Sequence, residues 1–259
     1  MEIITSRNNP AVKAAASLKE AAFRRRSGLF LLEGARLCCD AAKNGVEITD
    51  FFITERAAEK YKKEYLTIKE RAQRTLLVEE HVAEKLSDTK SSQQLFAVCR
   101  EIEQKTEINR KGIYIFTDNI QTPDNLGAVV RTAEALGADG IIVNSGCDIY
   151  SPKALRASMG GLLRFPVIKT DEGGELLKEL KSDGMKIYAS VVSTDALDLR
   201  EINERDGTVL IIGNEGNGVS DEILALCTHR VTIPMKGKAE SLNASAAATI
   251  LIWEFMKNR

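Results

Sequence analysis

Histidine is scarce in this chain: only His81 and His229 are present, far apart in the sequence. No local cluster can therefore hold zinc, and no histidine stands ready to serve a serine or cysteine nucleophile. The five cysteines (Cys38, Cys39, Cys99, Cys147, Cys227) are odd in number and none has CxxC spacing. Reduced, buried thiols are expected, with neither a disulfide framework nor a thiolate metal site. Five prolines and a 44% hydrophobic content exclude collagenous and disordered classes. Long apolar runs are missing too, the longest being short stretches such as Gly140–Val143 and Val209–Ile212. A membrane-spanning helix needs about 20 such residues. The opening MEIITSRNNPAVK lacks an apolar stretch behind a basic region and a small-residue cleavage site, so a cytoplasmic protein is expected. Surplus charge is absent as well: 36 basic residues face 37 acidic ones.

What is present fills 259 residues, enough for two modest domains. The charge is mildly uneven, net +3 over residues 1–110 and −4 over the remainder. It is concentrated at the start, where Arg7, Lys13, Lys19, Arg24, Arg25 and Arg26 meet only Glu2 and Glu20 before residue 27. Such a run is either a solvated helix face or a surface for a polyanion. Strands are predicted at Leu29–Leu32, Phe51–Thr54, Leu76–Val78 and Leu95–Val98, with helical spacing through Leu37–Ala42. A charged stretch, Arg100 to Lys111, reads as a linker and divides the chain into residues 1–105 and 106–259.

The second half alternates strand and helix. Strands are predicted at Gly112–Thr117, Gly140–Val143, Phe165–Ile168, Lys186–Val192, Thr208–Ile212 and Arg230–Ile233. Helices are predicted at Leu126–Leu136, Lys153–Met159, Glu175–Lys181, Asp221–Leu226 and Ala244–Met256. The strands are rich in Ile and Val, as a parallel sheet covered on both faces requires. In such a doubly wound α/β domain, ligands bind in the loops at the carboxyl ends of the strands.

Three of these loops stand out. In the first, Asp118 to Gly127, Asp124 or Asn125 is placed to cap a helix that carries Arg131 beside its buried stripe. The second, Gly213-Asn214-Glu215-Gly216-Asn217-Gly218, packs three glycines into six residues after a buried strand. That composition serves either a plain turn or a close backbone approach to a ligand, and its spacing is neither a dinucleotide fingerprint nor a phosphate loop. The third runs from Ile233 to Ala247, where Ser241, Asn243 or Ser245 is placed to cap the last helix.

Taken in order, these loops resemble the three signature motifs of the SpoU/TrmH family of RNA ribose 2′-O-methyltransferases, of the SPOUT superfamily. The resemblance rests on Asn125-Leu126-Gly127 with Arg131, on Gly213-Asn214-Glu215 with Gly218, and on Ile233-Pro234-Met235 with Ser241-Leu242-Asn243. Ser151–Gly160 is similar to the stretch that the family carries between its first two motifs, and Ala244 replaces a frequent Val. Less specifically, Phe30-Leu31-Leu32-Glu33-Gly34 behind Arg24–Arg26 resembles the opening of an L30e-like substrate-binding domain.

The resemblance implies an α/β protein with a C-terminal trefoil-knotted methyltransferase domain and a smaller N-terminal L30e-like α/β domain. It implies S-adenosylmethionine as cofactor, held by Gly213, Asn214, Gly216, Ile233, Met235 and Leu242. It also implies a homodimer, an RNA substrate contacted by Arg7, Arg24, Arg25 and Arg26, and neither metal nor membrane. The catalytic set would be Asn125, Arg131, Glu215, Ser241 and Asn243, with Glu215 orienting Arg131 or acting across the dimer. A guanidinium is too weakly acidic to serve readily as a base, so Arg131 is expected to stabilise developing alkoxide charge or to anchor a phosphate. Ribosomal RNA is the expected substrate. The alternatives are transfer RNA ribose methylation and a non-catalytic RNA-binding protein on the same scaffold. A dinucleotide-dependent oxidoreductase would need the GxGxxG fingerprint that this sequence lacks.

Overall fold

The computed structural model describes residues 3–103, 107–202, 205–257 and 259. Its residues gather into two compact units: one is Met1–Glu103 with Asp148–Arg164, the other Gln104–Cys147 with Phe165–Arg259. The expected division near residue 106 falls among 104–106, which lie outside the described residues.

In the N-terminal unit the elements run β1 (Ile3–Ile4), α1 (Pro10–Ser17), α2 (Ala21–Ser27), β2 (Leu29–Glu33), α3 (Ala35–Lys43), β3 (Ile48–Ile53), α4 (Glu55–Lys60), α5 (Lys62–Lys69), β4 (Ala72–Val78), α6 (Glu80–Leu86) and β5 (Leu95–Arg100). The sheet order is β1-β4-β3-β5-β2, parallel from β1 to β3 and antiparallel from β3 through β5 to β2. Side chains alternate across a strand, so each strand feeds two cores. Leu31, Phe52, Phe96 and Val98 pack with Val12 and Ala15 of α1 and with Val82 and Leu86 of α6. Their neighbours Phe30, Leu32 and Phe51 take the opposite face, against which α3 lies. The two-residue β1 gives too little periodicity to read from sequence.

The inserted segment Asp148–Arg164 is fastened to this unit by side chains. Tyr150 stacks on Phe30 at 4.5 Å between ring centroids, and its hydroxyl accepts a hydrogen bond from the Ile102 amide at 2.9 Å. Arg24 is 3% exposed; its Nε donates to Asp148 Oδ2 at 2.8 Å and its Nη1 donates to the Leu18 and Lys19 carbonyls. This corrects the expectation that Arg24 contacts RNA, because the side chain is buried and its Nε and Nη1 donate inside the fold. Arg25 and Arg26 remain exposed, the latter lying over the Phe23 ring, and Arg7 is a surface residue paired with Glu84. Removing one partner of a buried ion pair strands the other, so Arg24→Ala should lower the unfolding free energy by ~3 kcal/mol. A shift in the urea midpoint reads this, and an unchanged midpoint would contradict it.

The C-terminal unit contains β6 (Ile113–Asp118), α7 (Pro123–Leu136), β7 (Gly140–Asn144), β8 (Val167–Thr170), α9 (Gly173–Ser182), β9 (Lys186–Ser190), β10 (Leu197–Asp198), β11 (Thr208–Ile212), α10 (Asp221–Leu226), β12 (His229–Thr232) and α11 (Ala244–Met256), while α8 (Pro152–Ala157) belongs to the inserted segment. Its seven strands are all parallel in the order β10-β12-β9-β11-β6-β7-β8. One face packs Phe116, Ile142, Ile187 and Ile211 against α9 and α10, and α7 and α11 pair with each other on the other. The chain moves outward from β6 through β7 to β8, then crosses to β9, and β11 later inserts beside β6. The reversal lies between β6 and β11, where the departing loops diverge and leave a crevice at the strands' carboxyl ends.

Candidate active site

Next to this reversal, the loops that follow β9, β11 and β12 enclose a cavity of about 420 Å³ together with α11. It falls within the range of small-molecule sites, 300 to 1,000 Å³ or so. All six residues expected to hold a cofactor line it: Gly213, Asn214, Gly216, Ile233, Met235 and Leu242. Glu215 and Ser241 line it too, and Val191, Val231 and Leu251 complete an apolar wall that the sequence did not single out. Met235 and Leu242 are large apolar side chains left 36% and 38% exposed beside this hollow. An apolar wall next to backbone polar groups and glycines suits a nucleoside with a charged tail.

The glycine turn is held shut by its own backbone. Asn214 and Gly218 exchange two hydrogen bonds, 2.9 and 3.0 Å, and the Asn214 side-chain oxygen accepts from the Gly216 and Asn217 amides. Gly213 is required by close approach: a Cβ there would lie 2.3 Å from both the Gly218 carbonyl carbon and the Val219 nitrogen. The turn is tied to the loop after β6, since Asn214 Nδ2 donates to the Asn119 carbonyl at 2.8 Å and the Ser220 amide donates to Asp118 Oδ2 at 2.8 Å. Asp118, 4% exposed, also accepts from Asn144 Nδ2. The sequence signal for Asp118 was its place at the end of a buried strand, a weak one, and it was assigned no role.

One polar chain joins all three loops. Glu215 Oε1 accepts from Asn125 Nδ2 at 2.9 Å and from the Thr122 amide at 3.0 Å, and Oε2 accepts from the Gln121 amide at 3.1 Å. Asn125 Oδ1 in turn accepts from Asn243 Nδ2 at 3.1 Å. Asn243 caps α11, its side-chain oxygen accepting from the Ser245 and Ala246 amides. For α7 the expected caps are corrected: Thr122 is the N-cap, with Pro123 in the first turn, and Asn125 turns inward at 8% exposure. Proline suits the first turn because it lacks the amide hydrogen that would go unpaired there.

Partial burial raises the Glu215 carboxyl, but the hydrogen bonds from Asn125 and the backbone amides outweigh it and hold the pKa at about 2. The folded pKa is thus below the ordinary glutamate value of about 4.3. The stabilisation is present above that value and is lost as pH falls toward 2. Glu215→Gln should remove this acid sensitivity and flatten the decline of the urea midpoint between pH 4 and 2. It should also slow the methyl transfer that the family resemblance implies by about tenfold, since an amide offers one acceptor oxygen where the carboxylate offered two. A decline as steep as wild type would contradict this role for the carboxylate.

Arg131 stands apart. It follows Asn125 by six residues on α7, about 9 Å along the axis and on another face. It is exposed, and among the described residues it has no hydrogen bond or ion pair. Glu215 spends its oxygens on Asn125 and the loop amides, so the orientation of Arg131 by Glu215 expected within one chain is not formed. Asp124, Arg131 and Ala135 lie on one exposed stripe of α7, which packs against α11. The outward stripe of α11 presents Ala246, Thr249, Ile250 at 40% and Trp253 at 57% exposure.

Comparison with known proteins accords with this geometry. Residues 112–253 match the model of the SpoU rRNA Methylase family, and residues 9–97 match an MRM3-like substrate binding domain. The chain is 31% identical over 254 residues to the 23S rRNA (guanosine(2553)-2′-O)-methyltransferase RlmP of Bacillus subtilis, covering 98% of each protein. It is 30% identical over 267 residues to the 23S rRNA (uridine(2479)-2′-O)-methyltransferase of Streptomyces viridochromogenes, covering 99% of this chain and 92% of that one. The AdoMet-bound rRNA methyltransferase from Sinorhizobium meliloti superposes with a TM-score of 0.86 at 26% identity, covering 99% and 98% of the two chains. Sequence motifs, sheet order and the three-loop site agree, and the chain belongs to the SpoU rRNA methylase family.

Proposed function

We propose that this protein transfers a methyl group from S-adenosylmethionine to a ribose 2′-hydroxyl of 23S ribosomal RNA. The observation that carries the reading is the Glu215–Asn125–Asn243 chain at the rim of a cavity built from glycine backbone and apolar side chains. The cavity fits the cofactor in size and in chemistry: an apolar wall for a purine, and backbone groups for its polar edge. When bound, the cofactor supplies a methyl on a sulfonium whose thioether leaving group needs no protonation. Gly213, Asn214, Gly216, Ile233, Met235 and Leu242 would hold it. The Glu215 carboxylate fixes Asn125 and the approach to α7, and Asn243 fixes Asn125 from the other side, so ribose and phosphate meet a preorganised polar edge rather than mobile side chains. Ser241 lines the same cavity and completes that edge.

The reading includes a homodimer. Ile250 and Trp253 form an exposed apolar stripe on α11, and Arg131 on the neighbouring α7 has no partner among the described residues of its own chain. A second copy covering this face would bury the stripe and bring Arg131 toward the partner's substrate. We place the protein in the cytoplasm: its five cysteines are free thiols, and no helix among the described residues is long and apolar enough to cross a membrane. The knot enters on the same footing, with residues after Ile233 threaded beneath the Gly213–Gly218 turn.

Transfer of labelled methyl into unmodified RNA tests the substrate class. Incorporation into 23S rRNA with none into transfer RNA is expected. Equal incorporation into both would contradict the ribosomal assignment.

A further inference from the structure

The glycine turn Gly213–Gly218 stands between two hollows that differ in charge. On one side is the cavity described above. On the other, an open hollow of about 760 Å³ is lined by the loops after β6, β7 and β8 and by the first turns of α9 and α10. Asp118, Asp171, Glu172, Glu175 and Glu222 bring five carboxylates to it, and among the described residues that line it none is Lys or Arg. Lys178 pairs with Glu175 from further along α9, and Asp118 accepts from the Ser220 amide and from Asn144. Asp171, Glu172 and Glu222 are exposed. A polyanion approaching the carboxyl ends of the strands is repelled from this side.

The opposite bank carries cations. The segment between β12 and α11 lines the cofactor cavity at Ile233, Met235, Ser241 and Leu242, while residues 236–240 are exposed and do not line it. Lys236 and Lys238 stand on that outer stretch, and neither has a hydrogen bond or ion pair among the described residues. A Cβ on Gly237, between them, would meet nothing within 4 Å. The acidic residues on this bank are Glu240 of the same segment and Asp195 of the loop after β9. Lys236 follows Met235 directly, about 3.8 Å away at Cα, so the charges stand at the cavity mouth. Both lie outside the cavity lining, which sets them toward a group arriving from solvent rather than toward the cofactor's own carboxylate.

We propose that Lys236 and Lys238 form a landing surface for phosphates of the RNA strand that carries the target ribose. The strand enters across the segment between β12 and α11 and stays clear of the acidic hollow beyond the glycine turn. The inference rests on the RNA reading above and gives the C-terminal unit its own grip on the substrate backbone.

The test is a salt titration. Binding of a 23S rRNA fragment is measured from about 50 to 200 mM salt for wild type, Lys236→Gln/Lys238→Gln and Lys236→Arg/Lys238→Arg. Each phosphate contact contributes about 0.7 to 0.9 to the slope of log affinity against log salt, so the glutamine pair should flatten it by about 1.5. Its affinity should fall ~10-fold or more at physiological salt, while S-adenosylhomocysteine binding stays at the wild-type value. The arginine pair should keep the wild-type slope, because it keeps both charges. Glu222→Lys should leave the slope as it is, since the strand does not cross that hollow. A wild-type slope in the glutamine pair, a loss of cofactor affinity with it, a flattened slope in the arginine pair, or a steeper slope for Glu222→Lys would each overturn the proposal. Wild-type protein that does not bind the fragment would refute it together with the RNA reading. Wild-type protein that binds with the expected pattern but transfers no methyl refutes only the enzymatic reading and leaves the landing surface standing.

Discussion

Arg131→Ala should lower the methyl-transfer rate constant by 10²-fold or more while leaving stability and cofactor affinity near wild type. The size of the loss follows from removing a preorganised charge beside a developing alkoxide. The absence of a stability cost follows from its surroundings, because Arg131 is exposed and makes no hydrogen bond or ion pair in its own chain among the described residues. Those two readouts separate a group that acts on substrate from one that holds the fold. Arg131→Lys should recover only part of the rate, since a lysine restores the charge but not the paired donors of the guanidinium. Single-turnover kinetics at saturating RNA measures the effect. Transfer at wild-type speed would remove Arg131 from the catalytic set.

Gly213→Ala should weaken cofactor binding severely. The added methyl would sit 2.3 Å from the Gly218 carbonyl carbon and the Val219 nitrogen, and both contacts are backbone, so no side chain can swing aside. Relief requires opening the Asn214–Gly218 turn, which breaks its two hydrogen bonds and moves the loop that lines the cavity. The affinity for S-adenosylhomocysteine, read by calorimetry, should fall by ~10²-fold or more, with an overpacking cost of about 1–3 kcal/mol in stability. Gly237→Ala is the control, because nothing lies within 4 Å of a Cβ there. Equal binding by the Gly213 variant would mean that the turn is not the cofactor cradle.

Local chemistry was legible in the sequence. The helices at Asp221–Leu226 and Ala244–Met256 and the strand at Thr208–Ile212 lie where hydrophobic patterning and caps place them. Asn243 caps as its residue type and position imply. Long-range partnership was not legible. Arg24, Arg25 and Arg26 are identical in type and adjacent, yet successive residues of a helix point about 100° apart, and only Arg24 is turned toward Asp148, 124 residues away. Asn125 offers the same lesson: as a capping residue it fitted the loop, but its bonds to Glu215 and Asn243 span 90 and 118 residues. The membership of Asp148–Arg164 in the N-terminal unit is likewise set by Tyr150 on Phe30 and by the Arg24 pair, neither of which has any periodicity to betray it.

The central claim is a chemical one: the methyl group goes to a ribose oxygen. Labelled methyl from S-adenosylmethionine is followed into 23S rRNA, and the product is hydrolysed with alkali, which cleaves only beside a free 2′-hydroxyl. Label in alkali-resistant dinucleotides is the result expected. Label released in mononucleotides would mean methylation of a base, and would contradict the account.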